Sequence, residues 1–220
     1  MPRPSAGSRT TPVAAGAEAM ERLRRTDSAI GRLIQELGPL DEHARRRGRP
    51  ADAYGALLRS IVGQQLSTKA ARTIYERLTD QFGGRTPTPA ELIQADPETI
   101  RAAGLSRAKV AYLRDLAERV EDGELELDRI AELPDDEISA QLTAVKGLGR
   151  WTVDMFLIFH LGRPDVLPVG DLGIRRAVER AYALDELPGA EELTRIAEPW
   201  RPQRSLACLY LWRSLDNEPA

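Results

Sequence analysis

The chain has 220 residues, of which 42% are hydrophobic and 30% charged, enough for one or two domains with a sizeable buried core. Its longest uncharged apolar run, Met155 to Leu161 with His160 inside it, is far short of the ~20 residues a bilayer-spanning helix needs. One cysteine, Cys208, and two histidines, His43 and His160, exclude an intramolecular disulfide framework, a cysteine-based zinc site and a cysteine-ligated iron–sulfur cluster, and argue against a histidine-rich metal centre. The net charge of -3 gives no nucleic-acid signal, but its distribution is uneven: residues 1–50 hold ten Arg against six Asp or Glu, a local +4 that leaves -7 for the remainder. Of the basic residues only Lys69, Lys109 and Lys146 are lysines. Arg grips phosphate bidentately, yet a codon bias yields the same skew.

Residues 1–17 are rich in Pro, Ser, Thr and small residues with no apolar period, which predicts a disordered leader. No charged-then-apolar signal opens the chain, so a cytoplasmic protein with no membrane association is expected. Met20, Leu23, Ile30, Leu33, Ile34 and Leu37 then recur at helical spacing up to Gly38-Pro39. Tyr54, Leu57, Leu58, Ile61 and Val62 form a second stripe, and Ala70, Ala71, Ile74 and Leu78 a third, closed by Gly83-Gly84. Thr88-Pro89 is a helix start with Pro at the first helical position, and Ser106 can cap a helix carrying Val110, Leu113, Leu116 and Val120. No strand-like alternation and no fixed-period repeat appears. The expected class is all-α.

Leu142 to Val178, LTAVKGLGRWTVDMFLIFHLGRPDVLPVGDLGIRRAV, is the most informative stretch. A helix starts at Pro134-Asp135-Asp136 and runs through about Thr143. Lys146-Gly147-Leu148-Gly149 is a tight turn, and Arg150 begins the next helix. Two glycines flanking one apolar residue let the backbone turn sharply and approach another surface closely. The amides opening the second helix then point outward, where a phosphate is favoured independently of base sequence. An ordinary helix–helix connection is the plain alternative. Gly162 to Gly170, with two Pro and two Gly, is a non-helical connector.

The order of hairpin, Gly/Pro-rich link and aspartate resembles the helix-hairpin-helix base-excision DNA glycosylases, in particular the 3-methyladenine DNA glycosylase II (AlkA-type) branch. The resemblance covers Met20 to Leu215. It implies a catalytic aspartate at Asp171, a carboxylate that stabilises positive charge on the deoxyribose or orients water. Asp171 equally suits the N-cap of a helix beginning at Leu172, and the two roles are compatible. Trp151 stands where strand-nicking branches carry a Schiff-base lysine, which implies a monofunctional enzyme; Lys146 lies five residues earlier and does not match. The missing four-cysteine cluster argues against the endonuclease III and adenine-mismatch branches.

The resemblance further implies a base pocket of Trp151, Met155 and Trp212, in which aromatic faces stack on a cationic alkylated base. Met155 replaces the tyrosine usual in the family, a departure toward a roomier or less polar pocket. Both tryptophans also suit a core. Asp154 is either a polar group near the pocket or a structural hydrogen-bond partner. IVGQQLS (Ile61 to Ser67) resembles the family's loop that inserts one side chain into the stack when a base is flipped out, which implies Gln65 at the inserted position with Gln64 beside it; a polar loop of no consequence is the alternative. Lys146, Gly147, Gly149, Arg150 and Arg175 are implied DNA-phosphate contacts, the charged ones otherwise being surface groups. The carbonyls of Thr143, Val145 and Gly147 match the family's monovalent-cation site, taking Na+ or K+, with no cofactor required. Cys208 reads as inert core.

These expectations assemble into two helical subdomains with an active cleft between them, residues 50–162 with the hairpin and residues 18–49 plus 163–218, without the N-terminal α/β domain of larger relatives. The implied function is excision of alkylated bases such as 3-methyladenine and 7-methylguanine from double-stranded DNA by a nucleoid-associated monomer. The competing readings are a non-catalytic DNA-binding module and a glycosylase for oxidised purines or uracil.

Overall fold

The structure, a computed structural model, describes residues 12–40 and 50–216, the side chains of 12–15 and 216 excepted. It is all-helical among the described residues, and no helix among them is long and apolar enough to cross a membrane. The chain divides into two compact units. A terminal unit comprises the described residues of Met1–Glu42 and Arg163–Ala220, and a central unit those of His43–Gly162.

In the terminal unit α1 spans Pro12–Thr26 and α2 Ser28–Leu37. Two sequence expectations need correction here. Residues 12–17, assigned to the leader, already belong to α1, because Pro12 suits the first helical position and the alanines after it favour helix; residues 1–11 lie outside the described ones. The single stripe from Met20 to Leu37 is also two helices. Asp27 interrupts it as an N-cap, its Oδ1 accepting the amides of Ala29 at 2.9 Å and Ile30 at 3.0 Å. Gly31 lets the helices approach, since a Cβ there would lie 3.1 Å from the Arg24 carbonyl oxygen.

The central unit opens with α3 (Ala53–Gly63), α4 (Thr68–Asp80), α5 (Pro89–Gln94) and α6 (Pro97–Ala102). Thr88 and Glu91 close a capping box on α5 with Pro89 behind it. Next come α7 (Arg107–Glu121), capped by Ser106, a 3-10 turn over Leu127–Glu132, α8 (Asp135–Thr143) and α9 (Arg150–Phe159). Leu57, Leu58, Ile61, Val62, Leu92, Leu113, Leu116, Leu142, Val153 and Leu157 form its core. Several of these recur three and four apart, one face per helix.

After the non-helical connector the chain returns to the terminal unit with α10 (Leu172–Ala181), α11 (Ala190–Ile196), a 3-10 turn at Glu198–Trp200 and α12 (Arg204–Asp216). Leu23, Ile30, Ile174, Val178, Leu193, Trp200, Tyr210 and Leu211 are buried together there, with Cys208 among them. Oδ2 of Asp27 accepts from Tyr182 Oη at 2.6 Å and Trp200 Nε1 at 3.0 Å. One carboxylate thus caps α2 and satisfies two polar tips in the core.

Candidate active site and nucleic-acid interface

The hairpin of the central unit forms where the sequence places it, between the end of α8 at Thr143 and the start of α9 at Arg150. Gly147 has φ +81, and a Cβ on it would stand 2.2 Å from Cδ2 of Tyr112. The turn therefore requires glycine twice over, for its backbone angle and for the ring behind it. Gly149 differs: it caps α9 at φ -87 with no side-chain cap, and its Cβ position has no atom within 4 Å. The first amides of α9 open beside that empty space, a geometry that suits an anion.

The two basic residues of the hairpin are exposed but engaged. Lys146 Nζ lies 3.0 Å from Asp115 Oδ1, its side chain 71% exposed, and its amide donates to Asp115 Oδ2 at 2.9 Å. Burial pushes the Asp115 carboxyl up, but the Lys146 amide and ammonium and the Arg119 guanidinium outweigh it and hold the group below its ordinary value. Arg150, 70% exposed, donates from Nε to Oδ1 of Asp154 at 2.9 Å. Asp154 is 3% exposed, and burial raises its pKa against the pull of Arg150. It is thus a hydrogen-bond partner of Arg150.

The loop after α3 separates the two glutamines. Gln64 donates from Nε2 to the Gly147 carbonyl at 2.7 Å, which ties its side chain to the hairpin. Gln65 is exposed and adopts φ +57, a left-handed conformation that a non-glycine residue seldom takes. Among the described residues no group of three or more His, Cys, Asp or Glu side chains can hold a metal ion. At the hairpin, the Gly147 carbonyl takes Gln64 and the Val145 carbonyl takes the Leu148 amide at 3.1 Å. A carbonyl oxygen has two lone pairs, so these contacts are compatible with a hard cation binding there as well.

On α9 Trp151 is 48% exposed, so the core reading of this residue fails. One turn on, Met155 lines an open pocket of about 290 Å³ with Leu66, Phe159, His160, Arg59 and Ser60. The His160 ring stacks on Phe156 at 4.9 Å.

In the terminal unit Asp171 is the N-cap of α10 and only 9% exposed. Its Oδ1 accepts the Ile174 amide at 2.8 Å and Trp212 Nε1 at 2.9 Å. Trp212, on α12, is partly buried and reaches Asp171 past Gly173, where a Cβ would lie 3.0 Å from Oδ1 and 3.3 Å from the indole Cδ1. Leu172 follows the aspartate and is 46% exposed. Arg175, on the same helix, is half-buried and donates from Nε to the Pro188 carbonyl at 2.7 Å. That bond ties its guanidinium to the unit's own backbone.

Sequence reasoning missed the residues of α7 that hold these parts. Lys109, Tyr112 and Asp115 stand three apart on one helix and contact, respectively, the C-terminal end of α3, Gly147 and Lys146. Their spacing is a signal for a shared face, but what they touch is distant in sequence.

Residues 58–202 match the family described as HhH-GPD superfamily base excision DNA repair protein. DNA-3-methyladenine glycosylase 1 of Schizosaccharomyces pombe is 38% identical over 165 residues, which cover 74% of this chain and 72% of that one. A putative DNA-3-methyladenine glycosylase of Bacillus subtilis is 32% identical over 74% of this chain, and the match spans 59% of that relative. The solved structure of an S. pombe 3-methyladenine DNA glycosylase in complex with abasic DNA superimposes with a TM-score of 0.80 at 33% identity, covering 90% of this chain and 97% of that one. With its hairpin, its all-helical units and a match over most of its length, the chain belongs to the HhH-GPD superfamily of base excision DNA repair proteins.

Proposed function

We propose that the protein is a monofunctional DNA glycosylase that releases alkylated purines, 3-methyladenine and 7-methylguanine among them, from double-stranded DNA and leaves an abasic site. The observation that carries this reading is the Asp171 carboxylate, buried at the head of α10 with Oδ1 fixed by the Ile174 amide and the Trp212 indole. The names of the relatives support the substrate class.

The chemistry follows from the residue types. A purine alkylated at N3 or N7 is cationic, so the electron pair of the glycosidic bond leaves with it and yields a neutral base without an acid catalyst. Positive charge passes to C1′ and the ring oxygen of the sugar. A pre-oriented carboxylate, Asp171, stabilises that charge, an effect worth roughly 10²-fold or more in comparable sites. Water then adds at C1′ and loses its proton. Trp151, exposed on α9, offers a π-face to the cationic base. No amine stands at that position to form a Schiff base, so the strand stays intact.

The open amides of α9 and the exposed Arg150 and Lys146 would hold phosphates. Gln65, already turned outward, would occupy the gap left by the flipped base. The carbonyls of Thr143, Val145 and Gly147 would hold a sodium or potassium ion, which would supply positive charge favouring a DNA phosphate at the hairpin. The test is Asp171→Asn: it should bind methylated duplex as tightly as wild type yet release base at least 10²-fold more slowly. Undiminished release would exclude the role of Asp171, and binding without release by either protein would favour a DNA-binding module.

A further inference from the structure

We propose that Lys109 is a positioning residue for base flipping: its ammonium holds the loop that presents Gln65 in the conformation that enters the duplex. The proposal rests on the glycosylase reading and on Gln65 as the inserted side chain. Lys109 lies in the first turn of α7, and its Nζ donates to the carbonyls of Val62 at 2.8 Å and Gln64 at 2.7 Å. Both carbonyls belong to the end of α3, where helix geometry leaves oxygens without intrahelical partners and the macrodipole is negative. A cation there satisfies the oxygens and the field together.

The position of those carbonyls decides what they control. Gln64 is the C-cap of α3 at φ -54 and ψ 132, and the next residue is Gln65 at φ +57. A non-glycine residue in this region persists only when its surroundings over-determine it. Two bonds do so: Lys109 fixes the Gln64 carbonyl, and the Gln64 side chain is fastened to Gly147 of the hairpin. Burial pushes the Lys109 ammonium below the ordinary lysine value. The same helix face carries Tyr112 against Gly147 and Asp115 against Lys146. One rigid element thereby sets the register between the phosphate-gripping turn and the inserted side chain.

A residue that acts only on flipping matters most when the target base is stacked and paired, and least when it is already unpaired. The experiment compares wild type, Lys109→Met, Lys109→Arg and Gln65→Ala in single-turnover release of 7-methylguanine, once from a fully paired duplex and once from a one-nucleotide bulge. Lys109→Met should lose about tenfold on the paired duplex, the scale of one hydrogen bond to a charged group, and stay within about twofold on the bulge. Lys109→Arg should recover most of the loss, and Gln65→Ala should share the duplex-selective defect. Equal losses on both DNAs, whether from misfolding or otherwise, or wild-type rates on both, would overturn the role of Lys109. If Gln65→Ala is selective and Lys109→Met is not, the Lys109 proposal alone fails. If Gln65→Ala matches wild type on both, the insertion reading fails and takes the proposal with it.

Discussion

The Trp212 indole donates to Oδ1 of Asp171 at 2.9 Å, the same oxygen that takes the amide of Ile174. Two donors from different helices hold one carboxylate oxygen at the head of α10, and Gly173 leaves the room for the indole to reach it. Trp212→Phe keeps the ring and removes the donor. Single-turnover release should then fall roughly tenfold, the scale of one hydrogen bond to a charged acceptor, while affinity for unmodified duplex is unchanged. A fall in affinity of the same size would instead make Trp212 a DNA contact.

The two glycines of the hairpin should separate stability from binding. Gly147→Ala forces a Cβ into the Tyr112 ring and a methyl-bearing residue to φ +81, so unfolding by denaturant should show a loss of about 2 kcal/mol or more. Gly149→Ala meets no atom within 4 Å at an ordinary φ, and its stability should stay within about 0.5 kcal/mol of wild type. Its DNA affinity should nevertheless fall, since the methyl group enters the space that the proposed phosphate contact with the α9 amides would use. An unaffected affinity would remove the phosphate from that helix end.

Much of this arrangement was legible in the sequence, because its signals are local. Asp171, Thr88 and Ser106 are caps whose partners lie within three residues, and Gly147 and Gly149 mark a turn between two helical patterns. Distant partners left no such trace. The Asp115 bond to Lys146 spans 31 residues, and Asp27 meets Trp200 across 173. Both aspartates sit in helical stretches where an acidic residue reads as surface. The split between α1 and α2 was missed for a related reason: the apolar period continues across Asp27, and only its capping geometry breaks the helix.

Two buried carboxylates of the central unit should respond to pH in opposite directions. Asp115 is held below its ordinary value, so its contribution is complete above the unfolded pKa near 3.8 and is lost as pH falls through the lower folded value. Asp115→Asn should accordingly be less stable than wild type at pH 6, with the gap closing toward pH 3. Asp154 is raised by burial, so its contribution is present below the unfolded pKa and declines as pH rises through the folded one. Asp154→Asn should therefore gain on wild type between pH 4 and pH 7. Denaturant midpoints across this range check both, and parallel curves for either variant would contradict the corresponding assignment.

In the terminal unit Asp27→Ala removes a helix cap and leaves Tyr182 Oη and Trp200 Nε1 without their carboxylate. A cap is worth about 1 kcal/mol and each stranded polar tip about 1–3 kcal/mol, although Tyr182 and Trp200 retain a bond to each other. A loss of about 3 kcal/mol is expected by calorimetry or denaturant unfolding. A change below about 1 kcal/mol would mean that water replaces the carboxylate.

The central claim is the release of an alkylated base by hydrolysis alone, and the direct measurement is product analysis on methylated duplex DNA. Hydrolysis alone should leave free methylated purines in the supernatant and a strand that stays whole until alkali is added. Strand cleavage without alkali, or a borohydride-trapped protein–DNA adduct, would contradict it.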